Sequence, residues 1–116
     1  MSPGTRACIA YVAGRVVSGA TSSYLYDHAQ ATRLNIGGTV RGNRIGLYDY
    51  ERKCNFSGTL PHLFDDGTSA PVILEISGAL FGGRDGASGK QFSGSVFGLQ
   101  ISLRDHASDQ RFLYSL

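Results

Sequence analysis

The chain has 116 residues, 41% of them hydrophobic and 17% charged, the balance of one folded domain rather than of a disordered polymer. Its formal charge of +2, from eleven Lys and Arg against nine Asp and Glu, is too mild to imply a nucleic-acid partner. Sixteen glycines argue against long helices, since Gly costs about 1 kcal/mol relative to Ala in a helix interior, and twelve aromatics without Trp point to strands and turns.

The first apolar stretch, ACIAYVA at 7–13, is far shorter than the ~20 residues a membrane-spanning helix needs. It also has too short a core, and no clear cleavage site after it, for a signal peptide. The chain therefore reads as soluble with no transmembrane segment, and the sequence leaves its compartment open. A strand is expected over 8–18, followed by strands over 22–28, 32–41, 44–50, 54–60, 72–81, 90–97, 99–105 and 110–116. No segment carries the 3.6-residue periodicity of a long amphipathic helix.

Two short motifs alternate along these segments. An aspartate motif appears as LYDH (25–28), LYDY (47–50), LFDD (63–66) and LRDH (103–106). A glycine motif, apolar–x–Gly–x–apolar, appears as VAGRV (12–16), IGGTV (36–40), FSGTL (56–60), ISGAL (76–80) and FSGSV (92–96). The most extended self-match is gapless. Gly38, Val40, Gly42, Ile45, Leu47, Asp49, Phe56 and Leu60 align at an offset of 56 with Gly94, Val96, Gly98, Ile101, Leu103, Asp105, Phe112 and Leu116.

The implied unit is a β-hairpin. Ile45 and Leu47 alternate with Gly46 and Tyr48, and Phe56, Gly58 and Leu60 with Ser57 and Thr59, the period of a half-buried strand. An apolar residue follows the Asp by seven positions at Asp27–Leu34, Asp49–Phe56, Asp85–Phe92 and Asp105–Phe112, so constant loop length keeps one face apolar. Glycines on that inward face leave the strand free to coil sharply.

The expectation is one all-β domain over 1–116, an antiparallel meander of eight to ten short strands. A small barrel is favoured because closure removes edge strands. A two-sheet sandwich is the second architecture and a single-layer or solenoid sheet the third. PHLFDDGTSAP (61–71) and GGRDGASGK (82–90) interrupt the pattern and are expected as functional loops.

Catalytic chemistry finds little support. There is no GxSxG, no phosphate-binding loop and no local zinc spacing, so no catalytic residue, metal ligand or cofactor is assigned. DDG (65–67) and GRDG (83–86) lack calcium-loop spacing. Asp27, Asp49 and Asp105 fit turn-capping roles, with Asp accepting backbone N–H groups just ahead of it, and Asp49→Asn should then cost little. His28 and His106 follow an Asp in equivalent motif copies and are expected as solvated loop residues, a metal set with the two Asp being the minor alternative. Cys8 and Cys54 are expected as buried thiols, or as one bridge if the chain is exported and the strands bring them together.

Tyr24, Tyr26, Tyr48 and Tyr50 fall on the face opposite Leu25 and Leu47 and suit stacking contacts with a protein, glycan or small ligand. They also suit cross-strand packing on the sheet. With His62, Asp65, Asp66 and Arg84 from the two loops, they form the candidate ligand-binding set. The favoured function is a non-enzymatic binding or interaction domain, with self-association into a homo-oligomer open to it. The alternative is a small-barrel enzyme or carrier with a polar interior site that uses Glu75, His62 or an Asp–His pair.

Overall fold

The computed structural model describes residues 1–116. Ten antiparallel strands follow one another around a closed barrel: β1 (Tyr24–Asp27), β2 (Thr32–Arg41), β3 (Arg44–Asp49), β4 (Cys54–Thr59), β5 (His62–Asp65), β6 (Ala70–Ser77), β7 (Leu80–Asp85), β8 (Lys90–Phe97), β9 (Gln100–Asp105) and β10 (Gln110–Ser115). β1 pairs with both β2 and β10, so no edge is left unpaired. The meander expected from the hairpin pattern is thus a barrel, and the sandwich and solenoid are excluded.

The chain is not all strand. Residues expected as a first strand form a helix, α1 (Pro3–Ser18), that runs through the barrel. Its start is encoded by Ser2, whose side chain accepts from the Thr5 N–H at 3.2 Å, and by Pro3 in the first turn. Its end is set by Gly19 in the left-handed conformation, φ 72°, whose N–H returns to the Arg15 carbonyl at 2.9 Å. Every residue from Thr5 to Gly14 is buried. A helix covered on all sides needs no polar face, so its sequence has no amphipathic period to detect.

Geometry explains why the helix is there. Eight strands enclose a space that their own side chains can fill, whereas ten enclose more. The surplus is taken by α1, slimmed by Ala7, Cys8, Ala10, Ala13 and Gly14, with Ile9, Tyr11 and Val12 reaching the wall. The facing residues include Leu25, Ile36, Leu47, Phe56, Leu74, Ile101 and Leu103, and together they make one core. Gly14 faces Ile101, so the glycine-motif match at 12–16 lies in the helix and belongs to no strand.

The two mouths are built from different turns. At the lower mouth, beside the N-terminus of α1, five four-residue turns follow Asp27, Asp49, Asp65, Asp85 and Asp105. At the upper mouth, beside Gly19, four two-residue turns join the strands, three of them beginning with a positive-φ glycine: Gly42, Gly78 and Gly98. β3 and β9, and likewise β4 and β10, occupy ranges that differ by 56 positions, the offset of the sequence self-match.

Two further expectations change. The 61–71 loop contains strand β5 and only a short turn at 66–69, and Asp65 to Val72 supplies a fifth copy of the seven-residue offset. Expected strand 72–81 divides into β6 and β7, so most of the 82–90 loop is strand as well. The inward glycines act as expected at Gly38, Gly58 and Gly94, where a side chain would run into the backbone of the neighbouring strand. Gly38 and Gly58 also adopt φ of 125° and 145°, which only glycine tolerates readily.

Candidate functional site

Polar groups gather in three places: inside the lower mouth, on the wall of β1 to β3, and on the wall of β6 to β8. They differ in how completely the protein already satisfies them.

The lower mouth holds the five strand-ending aspartates, all buried. Each Oδ1 accepts the N–H two residues on, from Ala29, Glu51, Gly67, Ala87 and Ala107, at 2.8 to 3.2 Å. The turn-capping role holds in all five copies. Four of the other carboxylate oxygens have specific partners. Asp105 pairs with the Met1 ammonium at 3.4 Å, and Asp85 accepts from the Ser88 hydroxyl at 3.0 Å. Asp65 accepts from the Thr5 hydroxyl. Arg52 spans two carboxylates, Nε to Asp49 Oδ2 at 2.6 Å and Nη1 to Asp65 Oδ2 at 3.1 Å. The N-terminal end of the α1 dipole faces these carboxylates, which favours their charge.

Cys8 sits beneath Arg52, its Sγ 3.6 Å from Asp49 Oδ2. Burial, and then the Asp49 charge, push its thiol well above the usual range, which makes it a poor nucleophile. Burial also raises Cys54, whose backbone lies opposite Asp49. Both cysteines are free thiols. Burial works against the Arg52 charge, but its hydrogen bonds to Asp49 and Asp65 outweigh that and hold it protonated. Every group here serves another, so the mouth is a structural knot. Asp65 belongs to it, whereas Asp66 is exposed in the turn.

The histidines show a repeated device. His28 Nε2 meets Ser115 Oγ at 2.6 Å and His106 Nε2 meets Ser93 Oγ at 2.8 Å, each on the outer surface and across a strand pair. Two copies of one Ser–His contact, with no acid orienting either ring, describe a cross-strand tie rather than a nucleophile. No group of three or more His, Cys, Asp or Glu side chains has metal-ligating geometry.

The tyrosines stand outside, as the alternation requires, because Leu25 and Leu47 point inward. They are largely occupied. The Arg33 guanidinium lies 4.1 Å from the Tyr24 ring centre, Tyr26 packs edge-on against His28 at 4.9 Å, and Tyr48 against Tyr50 at 4.8 Å. Among the four, Tyr50 alone is well exposed. Glu51 locks onto Asn35 between Tyr24 and Tyr50, accepting its backbone N–H at 2.9 Å and side-chain N–H at 3.1 Å.

The third place is concave. Across β6, β7 and β8 the outward row reads Glu75, Gly82, Ser93. Missing a side chain at its centre, that row opens a trough of about 740 Å³. Ile73 and Leu80 bound it with Glu75, Arg84, Gln91 and the Ser93–His106 pair, while Phe81 and Phe92 line it beside Gly82 and Gly83 with their side chains buried in the core. Glu75, Arg84 and Gln91 have no hydrogen-bond or ion-pair partner within the protein, in contrast to the aspartates.

The two adjacent glycines do different work. Gly83 faces inward, where a Cβ would strike the Ile73 carbonyl, so the wall requires it. Gly82 faces outward with a negative φ, and a Cβ would come no closer than 3.3 Å, to the Phe92 carbonyl oxygen. Its backbone conformation does not demand glycine, and a Cβ would need only a few tenths of an ångström of give from the neighbouring strand. What its absent side chain provides is the trough.

Of the candidate residues from sequence, Arg84 lines this trough. His62 is one strand away, opposite Ile73, which in turn is opposite Arg84. The tyrosines are on the other side of the barrel, separated by at least two strands in either direction. Gly82, Gln91 and Ser93 were not singled out from the sequence; the paired glycines of GGRDG, one for each face of a strand, are the mark that would have pointed to them. No protein-family model, curated protein or solved structure matches this chain, so the geometry carries the functional argument.

Proposed function

We propose that the protein is a non-enzymatic interaction domain that holds a protein segment in the β6–β8 trough. The observation that carries this is the combination at Gly82. A floor opened by a glycine whose backbone conformation any residue could adopt is ringed by Glu75, Arg84 and Gln91, all unengaged. Ligand sites of this kind join an apolar floor to a few convergent polar groups.

The chemistry favours an extended peptide over a sugar. The floor is Ile73 and Leu80 beside the bare backbone of Gly82, with no exposed aromatic face on which a sugar would stack. One apolar side chain fits over Gly82, with a basic neighbour toward Glu75 and an acidic one toward Arg84. Strand addition is not the mode, since a closed barrel has no free edge. An enzyme or carrier with an interior site would need the space that α1 occupies.

Selection of a displayed random-peptide library on the wild-type protein and on Gly82→Val tests the proposal. The expected outcome is enrichment of sequences with an apolar residue between opposite charges, and loss of their binding to Gly82→Val and to Arg84→Glu. No enrichment above an unrelated barrel, or equal binding to Gly82→Val, would overturn it.

A further inference from the structure

The upper mouth differs in composition from the rest of the surface. Three arginines stand there: Arg15 on the last turn of α1, and Arg41 and Arg44 flanking the β2–β3 turn. None of them takes part in an ion pair. The seven aspartates and Glu51 all lie at the lower mouth or in its turns, so Glu75 is the single acidic side chain of the upper half. Leu116 also borders this mouth.

The same end carries the most exposed large apolar side chains. Phe97 is 87% exposed and Leu80 63%. Leu80 lies opposite Ser95, and Phe97 follows two residues later on the same outward face. Leu99 projects from the next turn. Between this apolar corner and the Arg41–Arg44 turn, residues 19–23 cross the mouth and leave crevices on both sides, each bordered by Arg15. The Arg15 guanidinium donates from Nη1 to the Gly38 carbonyl at 2.8 Å, while its buried Nε has no partner.

We propose that the upper mouth docks on an anionic lipid surface, Arg15, Arg41 and Arg44 meeting headgroups while Phe97 and Leu99 enter the acyl boundary. Charge complementarity and shape favour this occupant. The apolar groups sit on or beside hairpin tips, and convex projections suit a deformable bilayer better than the groove of a folded partner. A second copy would bring like charges together. Single-stranded nucleic acid would call for free aromatic platforms beside the arginines, whereas the rings near Arg15 are engaged, Tyr11 buried and Tyr24 under the Arg33 guanidinium. The residues proposed to meet the bilayer, Arg15, Arg41, Arg44, Phe97 and Leu99, are not trough residues, although Leu80 borders both places.

Co-sedimentation of the full chain with phosphatidylcholine vesicles, with and without phosphatidylserine, tests it. The expected outcome is salt-sensitive binding that requires phosphatidylserine. Arg41→Ser/Arg44→Ser should weaken it roughly tenfold or more, and Phe97→Ser/Leu99→Ser should also weaken it with the charge unchanged. The chain has no Trp, so Phe97→Trp is a lone reporter whose emission should shift to the blue on phosphatidylserine vesicles. Absence of binding, binding indifferent to Phe97→Ser/Leu99→Ser, or an unshifted Phe97→Trp spectrum on bound protein would each overturn the proposal. Binding of heparin or single-stranded DNA in preference to the vesicles would replace lipid with a soluble polyanion and overturn it equally.

Discussion

Arg52→Leu is the substitution that should expose the design of the lower mouth. The guanidinium bridges two carboxylates, Asp49 at 2.6 Å and Asp65 at 3.1 Å, whose side chains are 2% and 0% exposed. Removing it leaves both carboxylates buried and short of a cation. Breaking a buried pair in this way typically costs 3–5 kcal/mol, roughly. Arg52 itself keeps 21% exposure, so water screens part of the interaction and the lower end, about 3 kcal/mol, is expected. The control is Asp85→Asn. Asp85 accepts only from the Ala87 N–H and the Ser88 hydroxyl, which an amide oxygen also serves, so about 1 kcal/mol or less is expected. Asp49→Asn should fall between, at roughly 1.5–3 kcal/mol, because it keeps the turn and loses the ion pair. The sequence alone suggests that Asp49→Asn costs little; Arg52 is the reason it should not. Urea unfolding with a constant m-value measures all three. Equal losses for Arg52→Leu and Asp85→Asn would refute the bridging role.

The remaining predictions concern the thiol, the paired glycines and the helix. Because the Cys8 thiol is raised above its ordinary 9.0, the unfolded chain releases that proton first as pH rises. Stability is therefore intact below pH 9 and falls above it, by up to about 1.4 kcal/mol per pH unit from this group. Cys8→Ala should flatten that alkaline limb in unfolding measured from pH 8 to 10.5, leaving the smaller contributions of Cys54 and Tyr114, both also raised by burial. An unchanged limb would contradict the assignment. Gly83→Ala should destabilise by about 2 kcal/mol or more and Gly82→Ala by under about 1, read from thermal unfolding, since the former Cβ would overlap the Ile73 carbonyl outright whereas the latter would stand 3.3 Å from the Phe92 carbonyl oxygen. Ile9→Ala, at a fully buried position facing the wall, should cost about 2–5 kcal/mol, whereas a helix merely resting on the barrel would lose far less.

The wall was legible because its turns are regular. Aspartate capping and a fixed seven-residue offset determine register, and β2 and β8 begin and end where the alternation places them. β5 escaped because Pro61 and the Asp65-Asp66-Gly67 run resemble a loop, although they flank and end a four-residue strand. The helix escaped for a different reason. Sequence periodicity reports contrast between a wet face and a dry one, and α1 has no wet face between Thr5 and Gly14. Its caps were present in Ser2-Pro3 and Gly19, and there composition outweighed local chemistry. The trough depends on which side of β7 each glycine of the pair faces, and that follows only once Phe81 and Asp85 are known to point inward.

The central claim is that the outer wall over Gly82 is the binding face. Amide chemical shifts of the labelled protein, titrated with the most enriched library peptide, test it most directly. Perturbations are expected at Ile73, Glu75, Gly82, Arg84, Gln91 and Ser93, with Tyr24, Tyr48 and Tyr50 unmoved. Shifts centred on those tyrosines, with the Gly82 amide unchanged, would contradict it.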